Sequence, residues 1–180
     1  MSLRAVRRAV ALGGALALVA ARFCLLRLRG PLTLARRALW LQSASRQVLA
    51  GLGIRFQVEG RPPVRGLVVC NHLSYLDILI LSAAMPCFFV SKKEISHWPF
   101  FGWAARVAGT IFLDRASLAS ANAVAGEIAE RLKLPVPVLL FPEGTSTDGS
   151  QVLRFHARLI APATAAGAPV TAAALSYRIA

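Results

Sequence analysis

The sequence predicts an α/β domain with a largely parallel sheet flanked by helices, preceded by an N-terminal membrane-associated helical arm. After residue 66, short apolar segments of strand length alternate with longer segments of helical periodicity, which is typical of a parallel sheet. Polar clusters follow several predicted strands, where open α/β sheets bind ligands. We therefore expect an arm over residues 1–58 and the α/β domain over residues 59–180, with a turn at residues 60–66 between them.

The arm begins with an apolar run over residues 10–21, which resumes after Arg22 as residues 23–26. This run is short of the ~20 residues of a membrane span unless Arg22 reaches the interface. A signal peptide is the alternative, but arginines continue after the run and no convincing cleavage site follows it. We expect a membrane-embedded or in-plane helix and then an amphipathic helix over residues 32–52. The N-terminal arginines favour a cytoplasmic N-terminus, and we place the α/β domain on the cytoplasmic face of the cell membrane.

Composition narrows the choice of partners. The chain is 56% hydrophobic, and its net charge of +13 is concentrated in residues 1–58, which hold ten arginines and no acidic residue. These arginines alternate with aliphatic runs, so anionic membrane lipids are expected as partners and nucleic acid is not; each basic residue near a membrane contributes about 1 kcal/mol. The three cysteines lie far apart, which indicates neither a disulfide framework nor a zinc site.

From residue 54 onwards, periodicity and turn residues separate the elements. Strands are predicted at residues 54–58, 66–70, 87–91, 110–113, 136–141 and 169–175. Helices are predicted at residues 74–84, 95–107, 117–133 and 155–166.

The first polar cluster places His72 just after an apolar strand and Asp77 at the start of the next helix. A histidine held by a carboxylate can act as a general base near neutral pH. A simpler alternative exists, because Ser74 and Asp77 have the spacing of a capping box, in which Asp77 would only bind the Ser74 amide and begin the helix. His72 could likewise be a loop histidine without a catalytic role.

Two further clusters follow at strand ends. Asp114 and Arg115 come after the strand at 110–113, and the sequence Phe-Pro-Glu-Gly-Thr occupies residues 141–145. With Asn-His and the aspartate five residues after the histidine, these blocks occur in the order found in the glycerolipid acyltransferase family typified by 1-acylglycerol-3-phosphate (lysophosphatidic acid) acyltransferase. The chain resembles that family over about half its length. Three motifs in the right order are far more specific than any one alone.

The resemblance implies a catalytic pair in which His72 takes the proton of the acceptor hydroxyl and Asp77 orients the imidazole. Ser74 as an acylated nucleophile is unattractive, because it has a capping position and the chain has no Gly-x-Ser-x-Gly elbow. The resemblance also implies substrate-binding residues: Arg115 for a phosphate or similar head group, Lys92 for an additional anion contact, and Glu143, Gly144 and Thr145 for the acceptor site. A solvated turn would explain Lys92 almost as well.

The implied reaction transfers a fatty acyl group from acyl-CoA or acyl carrier protein to the hydroxyl of a lysophospholipid, with no metal and no bound cofactor. Lysophosphatidic acid, giving phosphatidic acid, is the first expectation for the acceptor. Ser146 replaces an arginine common in that branch, and residues 147–155 resemble lyso-ornithine lipid acyltransferases, so lyso-ornithine lipid is an alternative acceptor. A third alternative is a membrane-binding member without turnover. The chain ends soon after the strand at 169–175, which suggests a truncated or minimal form.

Overall fold

The computed structural model describes residues 3–28, 30–114 and 118–178. The α-helices in these ranges are α1 (Leu3–Leu28), α2 (Leu34–Leu52), α3 (Leu76–Ala84), α4 (Phe101–Ala108), α5 (Leu118–Leu132) and α6 (Ala161–Ala165). The strands are β1 (Leu67–Cys70), β2 (Phe88–Lys92), β3 (Ile111–Leu113), β4 (Val138–Leu140) and β5 (Val170–Ala173). Two short 3₁₀ helices, Lys93–His97 and Ala157–Leu159, complete the described elements.

The strands form one sheet in the order β3-β2-β4-β1-β5, and every neighbouring pair is parallel. This arrangement confirms the predicted α/β class. It places the carboxyl end of β1, from which the first motif emerges, between β4 and β5. Consequently the segments that follow β4 and β5 lie on either side of His72.

The core lies on both faces of the sheet, because successive residues of a strand point in opposite directions. Leu67, Phe88 and Val138 pack on the side of α5 and α6, together with Ile128 of α5. Their neighbours Val68, Phe89 and Leu139 pack on the side of α3. These strands are buried on both faces, as expected of a parallel sheet with helices on each side.

The two helices of the arm form an antiparallel hairpin against the α/β domain. Gly51 of α2 lies against the backbone of Ala11 in α1, and Arg22 of α1 donates a hydrogen bond of 2.9 Å to the hydroxyl of Ser43 in α2. On its other side α2 is bound to α3, since Arg46 donates a 2.8 Å hydrogen bond to the carbonyl of Ala83. By length and composition alone, Val10–Leu28 is apolar enough to cross a membrane, and signal sequences near an N-terminus pass the same test.

Three of the predicted elements differ from the structure. Residues 54–58 form no strand; they follow the αL cap of α2 at Gly53 (φ 72°), and most are exposed without a neighbouring strand. The helix predicted at 95–107 is divided by Trp98-Pro99-Phe100, because proline cannot donate a helical hydrogen bond. The helix predicted at 155–166 is divided at Ile160 into the 3₁₀ helix Ala157–Leu159 and α6. The strand at 54–58 was therefore wrong, and each of the other two predictions joined two separate helical elements into one.

Candidate active site

The first motif lies between the segments that follow β4 and β5, and it is hydrogen-bonded to both. Asn71, directly after β1, donates a 3.0 Å hydrogen bond to the carbonyl of Leu175 and accepts a 2.7 Å bond from the amide of the same residue. On the other side, the amide of Thr147 donates a 2.9 Å bond to the carbonyl of His72. The side chain of Asn71 is thus tied to the segment that follows β5, and the backbone of His72 is tied to the segment that follows β4.

His72 and Asp77 form a direct contact, with 2.8 Å between Nδ1 of the imidazole and Oδ2 of the carboxylate. Asp77 is completely buried, and the same Oδ2 accepts hydrogen bonds from the amides of Leu73 (2.6 Å) and Ser74 (3.0 Å). The bond to the Ser74 amide is the one that the capping alternative requires. Asp77 therefore has both predicted roles. It accepts the Ser74 amide at the start of α3, and it holds the histidine ring.

The hydroxyl of Tyr177 is a further partner of Asp77, at 2.5 Å from Oδ1. Sequence reasoning missed this residue, because Tyr177 lies 100 residues from Asp77 in the chain and belongs to none of the three motifs. Its position follows from the strand order, since β5 runs parallel to β1 and the chain after each strand emerges at the same edge of the sheet. The sequence does show a tyrosine after the last predicted strand. Its contact with Asp77 could have been predicted only if the order of the strands in the sheet had been known.

The environment of Asp77 keeps the carboxyl ionised. Burial alone would raise the pKa of Asp77, but the hydrogen bonds from His72, Tyr177 and the amides of Ser74 and Leu73 outweigh it and lower the pKa below the ordinary value of 3.8. Burial and the contact with Asp77 in turn raise the pKa of Tyr177, so its hydroxyl remains a donor at neutral pH. An ionised carboxylate beside Nδ1 favours the tautomer with its proton on Nδ1, which leaves Nε2 as an acceptor.

The histidine ring faces a cavity of about 120 Å³. The imidazole stacks on Phe141, with ring centroids 4.0 Å apart and planes 15° apart, and its side chain is 13% exposed. No hydrogen bond is made to Nε2 within the described part of the chain. Apolar side chains such as Ile78, Val90 and Leu159 line the cavity beside polar ones such as Ser91 and Ser146. A ring nitrogen able to accept a proton is thus available beside a partly apolar space.

The third motif contributes to this cavity unevenly. Gly144 and Thr145 line it, and Gly144 adopts a positive φ of 69° in a turn that closes with a 3.0 Å bond from its amide to the carbonyl of Phe141. Glu143 does not line the cavity. It is 5% exposed, and its Oε2 accepts a 3.0 Å bond from the amide of Leu153, while its Oε1 is buried without a hydrogen-bond partner among the described residues. Its contact is with the loop that follows the motif.

The two predicted basic contacts have different outcomes. Lys92, at the end of β2, is exposed and lines the same cavity as His72. Arg115 lies outside the described residues. Its neighbour Asp114 forms an ion pair with Lys93, at 3.0 Å between Nζ and Oδ2. Within the described ranges, no three His, Cys, Asp or Glu side chains come together as a metal site would require.

Comparison with known proteins identifies the family to which this site belongs. A model of the family described as Acyltransferase matches residues 55–176, which include all three motifs. The chain belongs to the acyltransferase family. This confirms the resemblance on which the motif assignments were based.

Two relatives within the acyltransferase family are named for different acceptors. The chain is 46% identical over 114 residues to the lyso-ornithine lipid O-acyltransferase of Rhodobacter capsulatus, covering 63% of this chain and 41% of that protein. It is 40% identical over 136 residues to the 1-acyl-sn-glycerol-3-phosphate acyltransferase of Neisseria meningitidis serogroup B, covering 73% of this chain and 53% of that one. The chain thus spans about half the length of the curated relatives it matches.

A solved acyltransferase structure has the same fold. The crystal structure of the 1-acyl-sn-glycerophosphate (LPA) acyltransferase PlsC from Thermotoga maritima aligns with a TM-score of 0.65 at 26% identity. The alignment covers 93% of this chain and 73% of the PlsC chain. The arm and the parallel sheet are both included in a match of that extent.

Proposed function

We propose that this protein transfers a fatty acyl group from a thioester donor to the hydroxyl of a lysolipid, with His72 as general base and Asp77 as the residue that orients it. The observation that carries the proposal is the 2.8 Å contact between Nδ1 of His72 and the buried carboxylate, which leaves Nε2 beside the cavity. Membership of the acyltransferase family supports acyl transfer as the reaction class.

In the proposed mechanism, Nε2 of His72 accepts the proton of the acceptor hydroxyl as its oxygen attacks the carbonyl carbon of the thioester. The ionised Asp77 stabilises the imidazolium that forms. The tetrahedral intermediate then loses the thiolate, which takes the proton back from the imidazolium. An ester and a thiol result, and the enzyme returns to its first state without a covalent intermediate, a metal or a bound cofactor.

For the acceptor, two observations favour lyso-ornithine lipid over lysophosphatidic acid. The relative named as a lyso-ornithine lipid O-acyltransferase has higher identity, 46% against 40%. Ser146, which lines the cavity, stands where an arginine would bring a charge for a phosphate. Lysophosphatidic acid, the first expectation from the sequence, remains the second candidate because the relatives named for that acceptor match with similar coverage.

The proposed substrate contacts follow the geometry of the cavity. Lys92, which lines the cavity, binds the polar head of the lysolipid, Gly144 and Thr145 shape the space beside His72, and Glu143 positions the loop after the third motif through the Leu153 amide. Arg115, which lies outside the described residues, is proposed as a second contact to the polar head from its sequence motif alone. The donor is acyl-CoA or acyl carrier protein. We place the protein at the cell membrane, where the lysolipid resides, with the α/β domain on the cytoplasmic face and anionic lipids beneath the basic arm.

An acceptor competition tests the proposal. The purified protein in mild detergent is given acyl-CoA or acyl carrier protein together with equal amounts of lysophosphatidic acid and lyso-ornithine lipid, and each product is measured by mass spectrometry. We expect acylated product, mainly from lyso-ornithine lipid. A variant in which arginine replaces Ser146 is the matched probe of head-group preference, and we expect it to move the product ratio towards phosphatidic acid. If the folded protein forms neither product with either donor, the proposal is refuted.

A further inference from the structure

A second, larger cleft lies away from His72, between the end of α1, the turn that follows it, the first part of α2, and α4. Its volume is about 650 Å³, and it shares no lining residue with the cavity at the histidine. Three arginines of the described residues line it, Arg27, Arg37 and Arg106, one from each of the three helices. The remaining walls are mainly apolar and include Phe23 and Trp103.

Among the residues that the structure describes, these three guanidinium groups have no counter-charge. No acidic residue lines the cleft, and none of the three arginines forms an ion pair within the described ranges. Nε of Arg37 is buried and has no hydrogen-bond partner there. Arg106 donates one hydrogen bond, to the carbonyl of Ser96. Like charges gathered in one cleft repel each other, and an anion among them would offset that repulsion and take up the remaining donors.

The neighbouring Arg36 shows what a purely structural arginine looks like in this region. Its Nη1 donates a 3.0 Å bond to the carbonyl of Pro31, and its Nη2 donates a 3.4 Å bond to the carbonyl of Leu26. Arg36 therefore closes the turn between α1 and α2. Within the described ranges the Arg37 side chain makes no bond of this kind and lines the cleft instead.

The apolar wall indicates what kind of anion would fit. Phe23 and Trp103 meet edge to face with centroids 5.3 Å apart, and Trp40 packs on Phe23 at 5.4 Å, so the wall is already assembled. The cleft lies at the end of the apolar segment Val10–Leu28, of which only 6% is buried within the protein. A small soluble anion would use the arginines and leave the aromatic wall uncovered. A molecule with an anionic head and an acyl chain would use both.

We propose that this cleft binds one anionic membrane phospholipid, with its phosphate among Arg27, Arg37 and Arg106 and its acyl chain along Phe23, Trp103 and α1. The site rests on the membrane association in the proposed function, and it does not depend on acyl transfer. It is a site of one-to-one stoichiometry, distinct from the general attraction of the basic arm to an anionic surface. It would hold the arm hairpin and α4 together at the membrane.

The test is lipid retention measured by native mass spectrometry, on protein in neutral detergent supplied with dioleoyl phosphatidylglycerol or dioleoyl phosphatidylcholine. The double variant Arg27→Gln and Arg37→Gln is compared with Arg55→Gln and Arg61→Gln, which removes the same charge from two exposed arginines outside the cleft. We expect one phosphatidylglycerol per wild-type chain, little phosphatidylcholine, and about tenfold or greater loss of affinity in the cleft variant alone. Equal loss in both double variants, or no preference between the two lipids, would overturn the proposal.

Competition distinguishes the source of the anion. Inorganic phosphate and coenzyme A are added separately at millimolar concentration, and continued retention of phosphatidylglycerol supports the lipid site. Displacement of phosphatidylglycerol by either competitor would overturn the proposal, and displacement by coenzyme A alone would assign the cleft to the acyl donor. If the cleft variant does not fold, a fluorescence measurement replaces it. In this protein Trp40 and Trp98 are replaced by phenylalanine, so that Trp103 alone reports. The proposal requires that phosphatidylglycerol brominated on its acyl chain quenches Trp103 more than the matching phosphatidylcholine does. Lipid retention by a protein without turnover would support the site while counting against the proposed function.

Discussion

Replacing Tyr177 by phenylalanine removes a single oxygen atom and tests how the buried carboxylate is held. The hydroxyl donates a 2.5 Å hydrogen bond to Oδ1 of Asp77, which is completely buried, whereas Tyr177 itself is 41% exposed. Hydrogen bonds to charged groups contribute roughly 1.5–3 kcal/mol, and partial exposure of Tyr177 allows water to replace some of that, so we expect a loss of about 1.5 kcal/mol in the free energy of unfolding at pH 7.

The pH dependence of this loss identifies its cause. The bond from Tyr177 is one of those that lower the pKa of Asp77 below its ordinary value of 3.8, so its stabilisation is present at neutral pH and disappears as the pH falls through the lowered value. The deficit of Tyr177→Phe relative to wild type should therefore be full at pH 7 and shrink at pH 3 and below.

Guanidinium titrations in mild detergent at both pH values provide the measurement, with Tyr75→Phe as the control. Tyr75 lies 6.5 Å from the imidazole between ring centroids but makes no hydrogen bond to Asp77. We expect this control to lose less than about 0.5 kcal/mol, as for most surface substitutions. A deficit of Tyr177→Phe that is the same at both pH values, or no larger than that of Tyr75→Phe, would refute this explanation of how the carboxylate is held.

Three further predictions concern the charge of Asp77, the glycine before β1 and the buried cysteines. Asp77→Asn keeps the size of the side chain but removes the charge that stabilises an imidazolium, so we expect turnover to fall by about 10²–10⁴-fold with a smaller change in KM; an unchanged kcat would contradict the role of Asp77. Gly66→Ala places a Cβ 2.3 Å from the carbonyl oxygen of Pro169 at a positive φ of 89°, so we expect the free energy of unfolding to fall by at least about 2 kcal/mol in a denaturant titration. Gly126→Ala, with open space around it, is the control and should be neutral or slightly stabilising. Cys70 and Cys87 are buried, and burial raises the pKa of Cys70 to about 12 and the pKa of Cys87 further. We therefore expect iodoacetamide at pH 8 to modify them at least about 100-fold more slowly in folded than in denatured protein. Similar rates in the two states would indicate an open core.

Much of the α/β domain was predictable because its signals are local. The apolar residues of β1, β2 and β4 carry the composition of strands buried on both faces, and the alternation with helical segments indicates a parallel sheet. The strand predicted at 54–58 was wrong for a non-local reason: its alternating pattern suits an exposed strand, but among the described residues no strand pairs with it. Periodicity cannot report whether such a partner exists.

The candidate site was predictable to the extent that its residues lie within short motifs. His72 and Asp77 are five residues apart, so their contact depends on one turn, and the structure brings them to 2.8 Å. Tyr177 reaches the same carboxylate only through the order of the strands, and the arginine cleft forms only because α4 packs against α1 and α2, which lie well before it in the chain. Neither arrangement leaves a local pattern. Glu143 shows the reverse case, since it belongs to a motif but points away from the cavity.

The central claim is that His72 is the base that activates a lysolipid hydroxyl. The most direct measurement is product formation by His72→Ala and by wild type under the same conditions, with each donor and both acceptors, and with His97→Ala as control because His97 is an exposed histidine outside the cavity. We predict a fall of about 10²–10⁴-fold in kcat for His72→Ala alone, in protein that still unfolds cooperatively. Turnover by folded His72→Ala at the rate of the wild type would contradict the account.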